Sequence, residues 1–286
     1  EYDVKPMRRP KFYNKVTRDG IPMWKIALRH SFDCIASTIS QTCVYWRSGD
    51  QCKFCGIELS LRDDNTIARK TPRQLMDVVD EAFGEGICGH LTLTTGTPSS
   101  DDRGIKGYVG AVEALKAIHP SLPVQVQFEP PKTMIMMDEL RSVGVDSVGI
   151  HVESFDKDVL RRICPGKSRT SVDEYFEAWR YGVELFGEGQ VSTYIIAGLG
   201  ESDDNIVSAS RVIANLGVIP FLVPARPIVG TPMENTKPPA TERMIGLYRE
   251  VADILNECGL SPTESRAGCP RCSGCSALDL AMNETG

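Results

Sequence analysis

The sequence predicts an α/β fold: a partial (β/α)6 TIM-like barrel with an N-terminal extension and a Cys-rich C-terminal tail. Three observations predict it. Short runs rich in Val, Ile, Leu, Thr or Phe recur at 34–42, 90–95, 124–128, 145–152, 191–197 and 219–224. Stretches with helical spacing of apolar residues separate them. The alternation repeats six times in roughly 200 residues, whereas a closed eight-unit barrel takes about 250. Right-handed crossovers would make the sheet parallel. Periodicity alone leaves a doubly wound sheet as the alternative.

The elements follow in order. Residues 1–32 are polar and basic, with aromatic islands at Phe12, Tyr13 and Trp24 and a turn at Asp19-Gly20; they form the expected extension. The barrel is expected over 33–232. Thr71 followed by Pro72 reads as an N-cap with proline at the first helical position, opening a helix that runs through Val78, Val79, Ala82 and Phe83. Further helices are expected at 108–118, 138–143 (ended by Gly144), 172–186 and 203–216 (ended by Gly217). The remaining stretch, 233–286, holds a helix at 241–258 and then the Cys-rich tail.

Composition narrows the function classes. At 286 residues, 41% hydrophobic and 24% charged, the chain resembles an ordinary globular enzyme. A net charge of -6 argues against a broad nucleic-acid or anionic-membrane surface, so neither partner is expected. No apolar run approaches the roughly 18 residues of a membrane span. The first residues lack the apolar core of a secretory signal, and a cytoplasmic location is expected.

Ten cysteines need an explanation in a chain too long and too Cys-poor for a disulfide scaffold. Six lie in two tight groups. Cys43, Cys52 and Cys55 follow the first strand, where barrel enzymes place their chemistry. Three thiolates can hold three irons of a cubane and leave the fourth open. Cys269, Cys272 and Cys275 sit in a tight loop with Pro, Gly and Ser, suited to a second cluster. Ser265, Ser273, Ser276, Arg266 and Arg271 are candidates for its missing ligand. Zinc in both loops, on a non-enzymatic binding protein, is the alternative reading. Cys34, Cys88, Cys164 and Cys258 are scattered and read as small core residues.

With these loops the chain resembles the radical S-adenosylmethionine (SAM) superfamily. The first loop has eight and then two intervening residues, where the family usually has three and then two; its Cys52-Lys-Phe54-Cys55 end matches. The resemblance implies a 4Fe-4S cluster on Cys43, Cys52 and Cys55, with SAM at the open iron and Phe54 near the adenine. It implies Thr95, Gly96 and Thr97 at the amino end of SAM, Glu153 on its ribose or ammonium group, and Arg162 (rather than Arg161) on its carboxylate. Gly198 and Leu199, in the segment Gly198-Leu199-Gly200-Glu201, look like the biotin-synthase and lipoyl-synthase branches, as does 227–232. Glu129 is a further candidate at the barrel mouth.

The segment Arg9 to Tyr13, the long first loop and the tail are similar to a biotin-synthase-related group. That group includes a subunit of the archaeal-type two-component lipoyl synthase and a radical SAM protein of nitrilase-linked gene clusters with unknown substrate. The first branch implies sulfur insertion into a protein-bound octanoyl chain on a lipoyl-domain protein or peptide. It also implies two 4Fe-4S clusters, SAM, a second radical SAM subunit, and a reductant of ferredoxin or flavodoxin type.

Overall fold

A computed structural model of the protein describes residues 7–285; the first six residues of the expected extension, and Gly286, lie outside the described residues. Among the described residues, seven strands form one sheet in the order β1-β2-β3-β4-β5-β6-β7. They are β1 Leu28–His30, β2 Cys34–Thr38, β3 His90–Thr94, β4 Val124–Gln127, β5 Ser147–Gly149, β6 Val191–Ala197 and β7 Val218–Pro224. From β2 to β7 every neighbouring pair is parallel, as in a curled, unclosed barrel. The helices are α1 Val44–Ser48, α2 Ile57–Arg62, α3 Pro72–Gly84, α4 Ile105–Ile118, α5 Asp138–Ser142, α6 Lys157–Ile163, α7 Val172–Phe186, α8 Asp203–Ala214, α9 Thr241–Glu257, α10 Cys269–Cys272 and α11 Leu278–Thr285.

The six expected strand–helix units are therefore present. Their strands are almost wholly buried, with Val, Leu and Ile recurring along them and buried polar residues such as Thr92 and Gln125 between. Thr71 caps α3 through the Gln74 amide N–H, and the Gln74 side chain accepts from the Thr71 N–H, closing a capping box. Ser171 and Glu174 do the same for α7. The strand expected over 34–42 ends at Thr38, because the chain then turns across β3, with Ile39 N–H donating to the Thr94 carbonyl. The run 145–152 pairs only over Ser147–Gly149 before bending at Glu153, whose φ is +71°.

The extension was expected without a strand, yet it supplies β1. This strand runs antiparallel to β2, pairing Leu28 with Ala36, Arg29 with Ile35 and His30 with Cys34. The described part of the extension ahead of β1 meets the end of α3: the N–H groups of Lys11 and Phe12 donate to the Glu85 carboxylate at 2.8 and 2.6 Å, and Phe12 is fully buried. No helix among the described residues is long and apolar enough to cross a membrane.

After α9 the chain crosses the N-terminal end of the barrel. Arg266 N–H donates to Gln190 Oε1 at 2.9 Å, ahead of β6. Ser147 Oγ, on β5, donates to the Ala267 carbonyl at 2.9 Å. Gly268 N–H donates to His90 Nδ1, on β3, at 3.1 Å, and Ser276 Oγ donates to the Leu222 carbonyl of β7 at 2.7 Å. The tail thus floors the barrel from several strands at once.

Candidate functional site

The C-terminal ends of the strands open into a cavity of about 410 Å3. Cys43, Cys52 and Cys55 all line it, together with Phe54, Thr95, Gly96, Thr97 and Glu153. The family-implied residues on three separate segments are thereby brought to one space. Arg162, Gly198 and Leu199 are not among its lining residues. Arg162 Nη2 donates to the Leu199 carbonyl at 3.0 Å, and the N–H groups of Gly198 and Leu199 donate to the Glu201 carboxylate at 2.7 and 2.8 Å. That turn is satisfied by its own side chains and by Arg243, which pairs with Glu201.

The long spacing between the first two thiols has a local cause. Residues after Cys43 fold as α1, ended by Gly49 at φ +78°, before the chain returns to Cys52. The inserted turn places Tyr45 and Trp46 in the cavity wall. Tyr45 Oη donates to Glu129 Oε2 at 2.8 Å, and Thr97 Oγ1 donates to Glu129 Oε1 at 2.6 Å, so Glu129 is held from two loops. The start of the thiol loop is seated against β3: Val44 N–H donates to the Thr97 carbonyl at 2.8 Å, and a Cβ on Gly96 would collide with the Thr42 carbonyl. Its far side is fixed by Lys53 N–H, which donates to the Ile163 carbonyl at 2.8 Å, and by Cys52, hydrogen-bonded to the buried Cys164.

The electrostatics are those of a dry site. Burial pushes the Cys43 thiol up and the Cys55 thiol to about 11. The Cys52 thiol is raised first by its hydrogen bond with Cys164 and then by burial. Lys167, absent from the sequence-level candidates, donates to Glu153 Oε1 at 2.6 Å and to the His151 carbonyl at 3.1 Å. Burial opposes its charge, but Glu153, Tyr175 and Glu129 hold its pKa well above the usual lysine value.

His151 Nδ1 accepts from the Tyr194 N–H at 3.1 Å, and the two rings stack with centroids 4.3 Å apart. Burial first, and Lys167 second, hold its pKa down at about 3, so the ring is neutral at pH 7. A neutral imidazole that accepts at Nδ1 carries its proton on Nε2. That Nε2 is buried without a partner, as are Trp46 Nε1 and Arg103 Nε, and all three residues line the cavity. Nothing in the sequence marks Arg103 or Lys167, because loop folding alone brings them to the mouth.

A second cavity, of about 180 Å3, lies toward the barrel floor and is lined by His30, Thr38, Thr92, Cys269, Cys272 and Cys275 among others. The two cavities share Thr94, Gln127, Tyr194 and Cys275 as walls. Gln127 Nε2 donates to Cys269 Sγ at 3.2 Å. Burial lifts the Cys269 thiol to about 11 against the pull of Tyr194 and Gln127, whereas a hydrogen bond with Cys34 lowers Cys272 to about 7. Cys88 and Cys164 are buried as expected, and Cys258 is half-buried on Asn215.

A family model described as the radical SAM superfamily matches residues 48–213, more than half of the chain. The chain belongs to the radical SAM superfamily. The matched segment contains Cys52 and Cys55, and Cys43 lies just before it. Bacteriochlorophyllide c C-7(1)-hydroxylase of Chlorobaculum limnaeum is 26% identical over 255 residues, covering 82% of this chain and 63% of that protein. An uncharacterized protein of Methanocaldococcus jannaschii is 29% identical over 139 residues, covering 45% of this chain and 35% of that protein.

Among solved structures, HydG, a maturase of the FeFe-hydrogenase, superposes with a TM-score of 0.62 at 16% identity, covering 84% of this chain and 53% of that one. Coproporphyrinogen III oxidase (HemN) from Escherichia coli gives 0.50 at 14% identity, covering 81% and 54%. Both show the radical SAM fold. This chain spans about three-fifths of the hydroxylase and about half of each solved structure.

Radical SAM membership implies SAM and a 4Fe-4S cluster, and the mouth cavity fits both. Three thiols surround a space, and among the described residues no three such groups converge to hold a single ion. The partnerless donors on Trp46, Arg103 and His151 suit a guest rich in acceptors. The thiols, protonated when bare, would release their protons on binding iron.

Proposed function

We propose that this radical SAM enzyme inserts sulfur at an unactivated C–H bond, with a protein-bound octanoyl chain as substrate and a second radical SAM subunit as partner. The observation that supports this reading is the wall shared by the two cavities. Cys275 and Tyr194 face both the mouth, with its three thiols, and the floor, with the tail thiols. A carbon held between them would lie next to both sites. The mouth also presents Phe54, Ile57, Ile196 and Val223, an apolar lining suited to an aliphatic chain.

Bound SAM supplies, on one-electron reduction, the radical chemistry that removes the hydrogen. The protein residues hold and shield that chemistry. Cys43, Cys52 and Cys55 would carry the cluster, and Phe54, Thr95, Gly96 and Thr97 the SAM. Glu153 is locked by Lys167 into the wall, while Arg103 and His151 present N–H groups to an anionic or carbonyl acceptor. Cys269, Cys272 and Cys275 would hold a second 4Fe-4S cluster, the sulfur source in this reading. A ferredoxin- or flavodoxin-type reductant delivers the electron.

The test is anaerobic reconstitution followed by mass spectrometry of an octanoylated lipoyl-domain peptide, with and without candidate partner subunits. A gain of sulfur supports the proposal. Changing the tail cysteines to Ala should then spare SAM cleavage and abolish the sulfur product. The hydroxylase relative favours a second reading, oxidation of a C–H position with the tail site relaying electrons. A product gaining oxygen instead of sulfur would select it. SAM cleavage with an untouched peptide would overturn the octanoyl substrate and favour the nitrilase-linked reading.

A further inference from the structure

We propose that Cys34 is the fourth ligand of the tail site, so that Cys34, Cys269, Cys272 and Cys275 together enclose one iron–sulfur cluster. The inference rests on the reading of the tail thiols as a cluster site.

Strand register fixes where the Cys34 side chain points. Cys34 pairs directly with His30 across the antiparallel β1–β2 ladder, and directly opposed residues share a face. His30 lines the floor cavity, so that face is the inner one. The next positions on that face of β2, Ala36 and Thr38, line the same cavity with Ser37 between them, and Cys34 lies just beyond this lining, against Thr92. Cys34 is 1% exposed, its sulfur lies 3.4 Å from Thr92 Oγ1, another residue of the floor cavity, and Cys272 is the neighbour that acts on it most strongly.

The tail is also anchored on the residues around Cys34. Arg271 Nη2 reaches Asp33 Oδ2 at 3.5 Å, and a Cβ on Gly274 would touch Ser31. Gly268 binds His90, the residue paired with Cys34 in the parallel β2–β3 ladder. Cys269, Cys272 and Cys275 line the floor cavity, and Cys34 packs against Thr92 in its wall, within electrostatic reach of Cys272 and Cys269.

Four of the five sequence alternatives are committed elsewhere. Ser265 Oγ donates to the Ala267 carbonyl, Ser273 Oγ to that of Pro270, Ser276 Oγ to that of Leu222, and Arg271 Nη1 to that of Arg266.

Chemically, a fourth thiolate is the usual completion of a cubane. Each thiol would give up its proton as iron binds. The tail cluster would then have no vacant iron. It could yield a bridging sulfide or pass an electron, but substrate could not bind it through an open metal position.

The experiment uses the full chain with Cys43, Cys52 and Cys55 changed to Ala, so that all cluster iron belongs to the tail. It is reconstituted anaerobically with ferrous iron and sulfide. Iron and sulfide are counted, and EPR spectra are recorded on oxidised and reduced samples. The background should hold about four irons per chain. Adding Cys34→Ala should remove about one iron in four and give a three-iron signal on oxidation. Cys34→Ser should keep the fold and, through its weaker oxygen ligand, shift the spectrum of the reduced cluster. Cys88→Ala, a buried thiol that lines neither cavity, should change neither. An unchanged iron count and spectrum in both Cys34 variants would overturn the assignment, as would the same loss produced by His30→Ala instead. A background chain that takes up no iron would overturn the cluster reading itself, and Cys34 with it.

Discussion

Lys167 Nζ lies 2.6 Å from Glu153 Oε1 in the wall of the mouth cavity, with the two side chains 15% and 8% exposed. Glu153 sits at a left-handed φ of +71°, a conformation a non-glycine residue keeps only when its surroundings insist on it, and its backbone is bonded to Tyr194 and Ile196 of β6. Lys167→Met would leave a carboxylate buried without its cation. A loss of about 3–5 kcal/mol is expected, because the stranded charge costs more than the pair contributed. Urea unfolding of the apo chain measures it. The double variant Lys167→Met/Glu153→Gln should recover part of the loss, and simple additivity would show that the two residues are not coupled.

Gly96 and Thr42 give the second prediction. Their backbones meet with no room for a methyl group, and the atom in the way is a carbonyl oxygen that cannot swing aside. Gly96→Ala should push the start of the thiol loop off β3, costing about 1–3 kcal/mol. Cys43 follows Thr42 directly, so iron bound at the mouth and SAM cleavage should fall together. Tail iron, measured in the same samples, should hold.

His151 sets a pH dependence. Its folded pKa, about 3, lies below the ordinary 6.5 because burial and then Lys167 oppose its charge. Between those values the unfolded chain binds a proton that the folded chain refuses, so stability rises with pH across the window. The contribution is complete above about pH 6.5 and is lost as pH falls toward 3. His151→Gln should flatten the pH dependence of the apo thermal midpoint over that interval. It should also lower the midpoint at pH 8, since the stacking on Tyr194 disappears. A wild-type slope retained by the variant would assign the dependence to other groups.

How far the sequence could be read follows from the same physics. Short strands rich in Val, Ile and Leu separated by amphipathic helices made β2 to β7 and α3, α4, α5, α7, α8 and α9 legible in order, while the short α1, α2 and α6 carry too few residues to show a period. β1 was not, because three residues in a basic stretch carry no period. The mouth thiols and the segments at Thr95–Thr97 and Glu153 converge because strand ends in a barrel do so. Lys167 and Arg103 enter through loop conformation, which leaves no spacing to read. Cys34 read as a small core residue and is indeed buried. Its meeting with Cys272 depends on the tail crossing the barrel floor, and only tertiary packing records that crossing.

That crossing is testable at Gly268. Its φ is +102°, and a Cβ there would overlap the Gln125 amide. A flexible amide could ordinarily yield, but this one is fully buried and engaged. Gln125 Oε1 accepts from the Cys269 N–H at 3.3 Å, and its Nε2 faces the Ala267 carbonyl at 3.5 Å. Moving it would undo the contacts that seat the tail. Gly268→Ala therefore combines backbone strain with loss of the floor hydrogen bonds, and about 1–3 kcal/mol of destabilisation is expected. Tail iron should drop sharply while the mouth keeps its own, so SAM cleavage should survive with product lost. Gly274→Ala is the control: its Cβ would meet the Cys272 sulfur at an ordinary 3.4 Å, and its backbone is not left-handed. Should Gly268→Ala retain full tail iron, the tail would not depend on its seat beneath β3 and β4.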